Sequence, residues 1–385
     1  MRRRHFLATA SSGLLTLSTP ALLRAATSKR VVIIGAGAAG LSAAYHLRRA
    51  GAQVQILEAR KHWGGRMERL RGFADFPLDM GAEWIHAEAD ILGRILGKGS
   101  TDLGGETIDY RPQTYEQWHR GELRRRDELR HIYSEVKFRS TTWYGFFERF
   151  VLPSVRPALR LNAPVAQITY DGRGIQAILQ SGQSYRADQA LITVPLSILQ
   201  RGAIRFLPAL PRSHLEGMQK IHFGEGFKVF LKFRKRFYAD ALIPGSARNF
   251  LRDSWSEVFY YDAAFGKESR DNILGLFTAS ETPIARSRMS NADLLRDVLA
   301  ELDAVYQGQA SRQFIAAKIR NWTQEPFIHG SYSMSVAGGQ SPRKLLPALN
   351  NTLFFGGEAF GGANQATVHG AALSGIKNAR SILDA

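Results

Sequence analysis

Gly35, Gly37 and Gly40, with Glu58 further along, have the residue types and spacing of a dinucleotide-binding loop. The first glycine permits a tight turn, the second lets backbone N–H groups approach a pyrophosphate, and the third lets a helix pack closely on a strand. Glu58 follows about 20 residues on, where a carboxylate accepts both hydroxyls of a ribose. An acid at position 58, with no basic residue there, disfavours a 2′-phosphate. These glycines do not separate FAD from NAD. Gly64 and Gly65, followed by Arg66, tip the balance toward FAD, because they form a second permissive loop that carries a cation.

Such residues need elements to hold them. Residues 31–34, VVII, are apolar and β-branched, as a buried parallel strand requires. The pattern then predicts a helix from Ala38 and Ala39 to about 49, with its positive N-terminus on the phosphates. A second strand over 54–57 delivers Glu58, Ala59 and Arg60.

The run EARKHWGGR (58–66) resembles the start of the flavin-containing amine oxidase family, which includes monoamine oxidases, polyamine oxidases and histone lysine demethylases. The resemblance extends over roughly 30–380. LDMGAEWIHA (78–87) resembles the family's flavin-contact loop, with Gly81, Ala82, Glu83 and Trp84. APVAQI, SYRADQALITVPLSIL and GAIRFLPALP follow in family order between 163 and 211, and Val165 matches the position where backbone embraces adenine. FGEGFKVFLKFRKRFY (223–238) resembles the lysine-bearing strand. WTQEPFIHGSYS (322–333) and LFFGGEAFGGANQATVHGAALSGIKNA (353–379) resemble the two C-terminal flavin segments. Residues 89–150 match no motif.

The resemblance implies an α/β fold: a discontinuous Rossmann-type FAD-binding domain (29–88, 151–205 and 335–385) with an inserted α+β substrate domain (89–150 and 206–334). It also implies FAD and a flavin site at the C-terminal end. There Gly357 lets backbone pass near the isoalloxazine, Glu358 matches the ribityl-binding acid, and Thr367 with Val368 opens a last helix over about 368–382. A helix N-terminus stabilises the negative charge that reduction places on the flavin pyrimidine. The chain has no cysteine, so cysteinyl attachment is impossible and FAD is expected to be non-covalent.

In this family a neutral amine lies over the flavin, its α-carbon gives hydride to N5, and the imine hydrolyses. Oxygen commonly reoxidises the flavin, giving H2O2. Lys228 matches the lysine that holds a water near N5, and a buried lysine with a lowered pKa manages a proton. As a bare strand residue Lys228 is also able to face solvent. Tyr332 matches one wall of the aromatic sandwich that holds the amine. Thr367 stands where monoamine oxidases carry the opposing tyrosine, as in polyamine oxidases and lysine demethylases. His86 resembles a substrate-side histidine, with a buried hydrogen-bonding role equally open, and Trp322 either packs on the flavin or is core. No ligand spacing among His86, His329 and His369 supports a metal.

The formal charge of +17 invites a nucleic-acid reading. The arginines are scattered, however, and Arg124 to Arg126 read as a solvated, helix-like charged face. Lys232 to Arg236 interleave with Phe230, Phe233 and Phe237 as a half-buried strand does. A basic surface repels a polycation unless the cleft is acidic; Glu83, Glu325 and Glu358 are the candidates. Polyamine-like amines therefore come first and amino acids second. The alternatives are a related desaturase or porphyrinogen-type oxidase, or a non-catalytic periplasmic flavoprotein. Arg2, Arg3 and Arg4 precede His5, Phe6 and Leu7, giving R-R-x-F-L before a mildly apolar stretch. This reads as a twin-arginine signal over 1–28 and an exported, periplasmic, bacterial protein with no stable membrane span.

Overall fold

The computed structural model describes residues 28–88, 90–98, 107–131, 135–245, 256–281 and 284–385. The expected signal, bar its last residue, lies outside the described residues. No helix among the described residues is long and apolar enough to cross a membrane.

The first apolar run forms Arg30–Ile34 at the centre of a five-stranded sheet. Its order is Leu353–Phe355, Gln189–Ile192, Arg30–Ile34, Gln53–Leu57 and Leu159–Arg160, and every pairing is parallel. Val31 and Ile33 enter one core beneath the helices Ala38–Arg49 and Val368–Asp384; Val32 and Ile34 enter a second, against a four-stranded sheet. Cover on both faces explains why this strand is apolar throughout rather than alternating. The layering is Rossmann-type α/β. The two helices cross closely: a Cβ on Gly375 would lie 2.1 Å from the Ala39 carbonyl oxygen. Ahead of them, the Lys29 ammonium donates to the carbonyls of Ile382 (2.7 Å) and Leu383 (3.0 Å) at the C-terminal end of the final helix.

A seven-stranded, largely antiparallel sheet supplies the lysine strand, Glu225–Phe233. Its period of two sends Phe227, Val229, Leu231 and Phe233 onto the helix Asn291–Val305, through Leu294, Val298 and Leu302. Lys228, Phe230 and Lys232 therefore point the other way, toward the 73–84 loop, where Phe230 packs with Phe73, Leu78 and Trp84. The strand is thus buried on both faces, not half-buried as the alternation implied.

Residues 89–150, which matched no motif, form an antiparallel pair, Thr107–Tyr110 with Glu135–Phe138, and the helix Trp143–Phe150. Trp143, Phe146 and Phe147 are core. The helix-like reading of Arg124 to Arg126 is corrected: Glu122–Arg125 is an edge strand of the seven-stranded sheet. Its residues are all exposed, so no apolar face recorded a period, and the arginines pair locally with Glu122, Asp127 and Glu128.

Candidate active site

One cavity of about 840 Å³ runs from the glycine loop to the lysine strand. At the nucleotide end Gly35 turns with φ +106°, and the Thr193 hydroxyl donates to the carbonyls of Ile34 (2.9 Å) and Gly35 (3.1 Å). A Cβ on Gly40 would sit 2.1 Å from the Gly35 oxygen, so this glycine serves helix packing and does not line the cavity. A Cβ on Gly37 would meet only Gly65 Cα, at 4.0 Å. The two glycine loops face each other across a gap that any side chain would fill. Glu58 accepts from the backbone N–H of Ala36 (2.7 Å) and of Arg60 (3.0 Å). Burial pushes its carboxyl up, against those same hydrogen bonds.

Arg60 and Arg66, both expected to bind the cofactor, line the cavity but are tied to acids. Arg60 pairs with Glu68 (3.2 Å) and Glu325 (3.6 Å), and donates to the Gly65 carbonyl (2.8 Å). Arg66 pairs with Glu358 (3.3 Å) and lies over the Phe223 ring. Glu358 also accepts from the backbone N–H (3.0 Å) and the hydroxyl (2.6 Å) of Ser333. Both arginines therefore brace loops. Thr367 caps the final helix, accepting from the Gly370 N–H (2.9 Å) and donating to the Asn364 carbonyl (2.8 Å). Its hydroxyl is committed to the backbone and only its methyl is left to the chamber.

These residues fit FAD: a side-chain-free gap between two glycine loops, an acid at the ribose position, and a capped 17-residue helix whose N-terminus lines the same cavity. Ala38, Ala39, Ala59, Gly64, Gly81, Ala82, Val165, Gly357 and Val368 line it too.

Beyond the nucleotide end the wall is aromatic and carries a buried cation. Lys228, 2% exposed, donates to the carbonyls of Asp79 (2.8 Å) and Gly81 (3.1 Å) and to Glu83 Oε2 (2.7 Å). A solvent-facing Lys228 is thereby excluded. Glu83, expected at the flavin, has its Oε2 taken by Lys228 and by the Tyr261 hydroxyl. Burial alone would raise the Glu83 carboxyl; Lys228, Lys137 and Lys267 outweigh it and hold it at about 2. Beside it burial, reinforced by Glu83, pushes Asp79 well above the usual carboxylate range. Trp84 lines the cavity and packs on Tyr110 and Tyr261. Trp322 is both cavity wall and core: its indole N–H donates to the Met80 carbonyl (3.1 Å), and Arg60 and Arg320 lie over its ring. Tyr332 is half-buried on the wall.

His86 is exposed at the cavity, which removes the buried hydrogen-bonding role, and its Nδ1 lies 2.8 Å from Glu135 Oε1. Glu135 was missed from the sequence. It lies on a strand without a motif, and only the pairing of Glu135–Phe138 with Thr107–Tyr110 and the bridge from Val136 to Ile85 bring it to the chamber. The other acids proposed for the cleft do not serve as expected. Glu325 pairs with Arg60 and Arg320 and does not line the cavity, while Glu83 and Glu358 each hold a cation.

Comparison with known proteins agrees with this layout. Lysine-specific histone demethylase 1B of Mus musculus is 24% identical over 92% of this chain and 53% of its own length. Polyamine oxidase 3 of Oryza sativa subsp. japonica is 24% identical over 90% of this chain and 87% of its own. The chain thus spans about half the length of the demethylases it matches. Solved structures of putrescine oxidase bound to putrescine (TM-score 0.74, 18% identity) and of cyclohexylamine oxidase from Brevibacterium oxydans IH-35A (TM-score 0.75, 19% identity) share the fold over 93% of this chain and 99% of theirs. Residues 38–142 and 154–383 match the family of flavin containing amine oxidoreductases, and the chain belongs to that family.

Proposed function

We propose that the protein oxidises amines with non-covalent FAD, and that its substrates carry a second ammonium group, as diamines and polyamines do. The Glu135–His86 pair at the cavity wall carries this reading. FAD, when bound, supplies the acceptor for the electrons leaving the carbon next to the amine nitrogen, and O2 is the proposed final acceptor, giving H2O2. The protein does the rest. Tyr332, Phe259 and Phe277 present aromatic surface that excludes water and favours an amine over the bulk solvent. Lys228 is fixed at the wall by three acceptors. Glu135, paired among the described residues with His86, accepts from a distal ammonium. An amino acid would need a cation for its carboxylate. The arginines of the cavity wall, Arg60 and Arg66, are already paired with acids.

Anaerobic bleaching of the yellow holoprotein by putrescine or spermidine, followed by peroxide release on admitting air, is the expected result. Bleaching by dithionite alone would instead favour a non-catalytic flavoprotein, and bleaching by a saturated carbocycle a desaturase-type enzyme. The R-R-x-F-L leader supports export by the twin-arginine route; replacing Arg3 and Arg4 with lysine should then leave the protein in the cytoplasm on fractionation.

A further inference from the structure

We infer that Glu83 is the positioning residue of Lys228: it keeps the lysine a charged, immobile ammonium at the cavity wall. The inference rests on the amine-oxidase reading only in giving Lys228 its importance, since the geometry stands on its own. An ammonium has three donors and no acceptor. Lys228 meets three acceptors within 3.1 Å, the carbonyls of Asp79 and Gly81 and the carboxylate of Glu83, and it is 2% exposed. A neutral amine, with two N–H groups, would leave one of those oxygens facing a lone pair.

The surroundings make the carboxylate indispensable. Lys137 arrives from Glu135–Phe138 and is fully buried, its Nζ 4.9 Å from the centre of the Tyr110 ring. Lys267 comes from the turn after Ser256–Asp262 and lies over Phe76. Both cations act on Glu83, as Lys228 does. Of the two nearby acids on the 78–84 segment, Asp79 is pushed toward its neutral form by burial and by Glu83. Tyr261, on Ser256–Asp262 two strands away in the sheet, donates its hydroxyl to Glu83 and fixes its orientation. Burial pushes the Tyr261 hydroxyl well above its ordinary range, so it stays a donor. Asp262, which also acts on Lys137, is paired with Arg236 (2.9 Å). All three lysines act on Glu83, and Lys228 is the one bonded to it.

Glu83→Gln keeps the shape and removes the charge. The visible spectrum of bound FAD, read without any amine, is expected to acquire a one-proton step that the wild type lacks, because burial disfavours an ammonium left without its carboxylate. The step should vanish when Lys228→Met is added and persist when Lys137→Met is added. A Glu83→Gln spectrum unchanged from wild type, or a step that disappears with Lys137→Met instead, overturns the inference. Should Glu83→Gln not fold, the wild-type protein decides. With 15N-lysine labelling, a slowly exchanging ammonium signal, absent from Lys228→Met, is expected at pH 8, and its absence from wild type refutes a locked ammonium. Neither readout needs turnover, so a protein that binds FAD but oxidises no amine would sink the functional reading and leave this one standing.

Discussion

Lys228 and Glu135 sit on the same chamber with opposite charges and opposite degrees of commitment. Lys228 has every donor engaged, so substituting it removes a fixed charge and little else from the wall. Lys228→Met should leave FAD bound and slow flavin reduction or reoxidation by a factor on the order of 10², as stopped-flow absorbance would register. Glu135 pairs, among the described residues, with His86 and is half-buried. A hydrogen bond to a charged group is worth about 1.5–3 kcal/mol, so Glu135→Gln should raise KM for a diamine roughly tenfold or more while leaving a monoamine of equal length nearly untouched. Equal losses for both substrates would remove Glu135 from distal recognition. Lys137 is the costly member of the group: burial lowers it to about 8, against the pull of Glu83. Below pH 8 the folded protein carries that charge and its desolvation cost; between about 8 and 10.5 the folded form has released a proton that the unfolded chain keeps, and the cost fades. Lys137→Met is therefore expected to raise the Tm at pH 7, with the gain shrinking as pH climbs past 8.

At the scale of elements, one glycine of the first turn and one of the final helix separate binding from folding. Gly37→Val fills space between loops rather than protein, so a folded but colourless protein is expected, judged by circular dichroism and by the FAD released on heating. Gly375→Val drives a side chain into the Ala39 carbonyl and should instead destabilise by about 3 kcal/mol or more, seen as a lower denaturant midpoint. The nucleotide end was legible from sequence because each of its devices is local: strand, turn, helix and acid lie within residues 30–58, and chemistry dictates the spacing. The lysine strand was legible through its alternation, although burial on both faces was not, because Lys228 and Lys232 look like a solvated edge until their partners are known. Those partners lie far away in the chain, Glu83 for Lys228 and Asp271 for Lys232. Glu135 and the strand Glu122–Arg125 were illegible for a simpler reason. Neither carries an apolar period or a motif: pairing with the distant strand Thr107–Tyr110 places Glu135, and a hairpin on Tyr115–His119 places Glu122–Arg125.

Over the whole molecule, charge is handled locally. Against a formal +17, arginines 124 to 126 are each beside an acid, and the chamber balances cation against anion. One buried base has no such partner. His369 is fully buried on the final helix, stacked on Trp143, with neither ring nitrogen hydrogen-bonded among the described residues, and burial lowers it to about 4. Between about pH 6.5 and 4 the unfolded chain takes up a proton that the fold refuses, so stability falls as pH falls, by at most about 3 kcal/mol. Chemical denaturation across that window should show the slope in wild type and a flatter one in His369→Phe. An unchanged slope would place the acid sensitivity elsewhere.

The cradle for the nucleotide is closed by pieces from opposite ends of the described chain: the turn after Arg30–Ile34 and the N-terminus of Val368–Asp384, with Lys29 tying down the far end of that helix. A ribosome that has delivered the first of these still has more than three hundred residues to make before the last can dock. Capture of the coenzyme is therefore an event of the finished polypeptide, and nascent chains stalled before residue 353 should emerge unable to retain it.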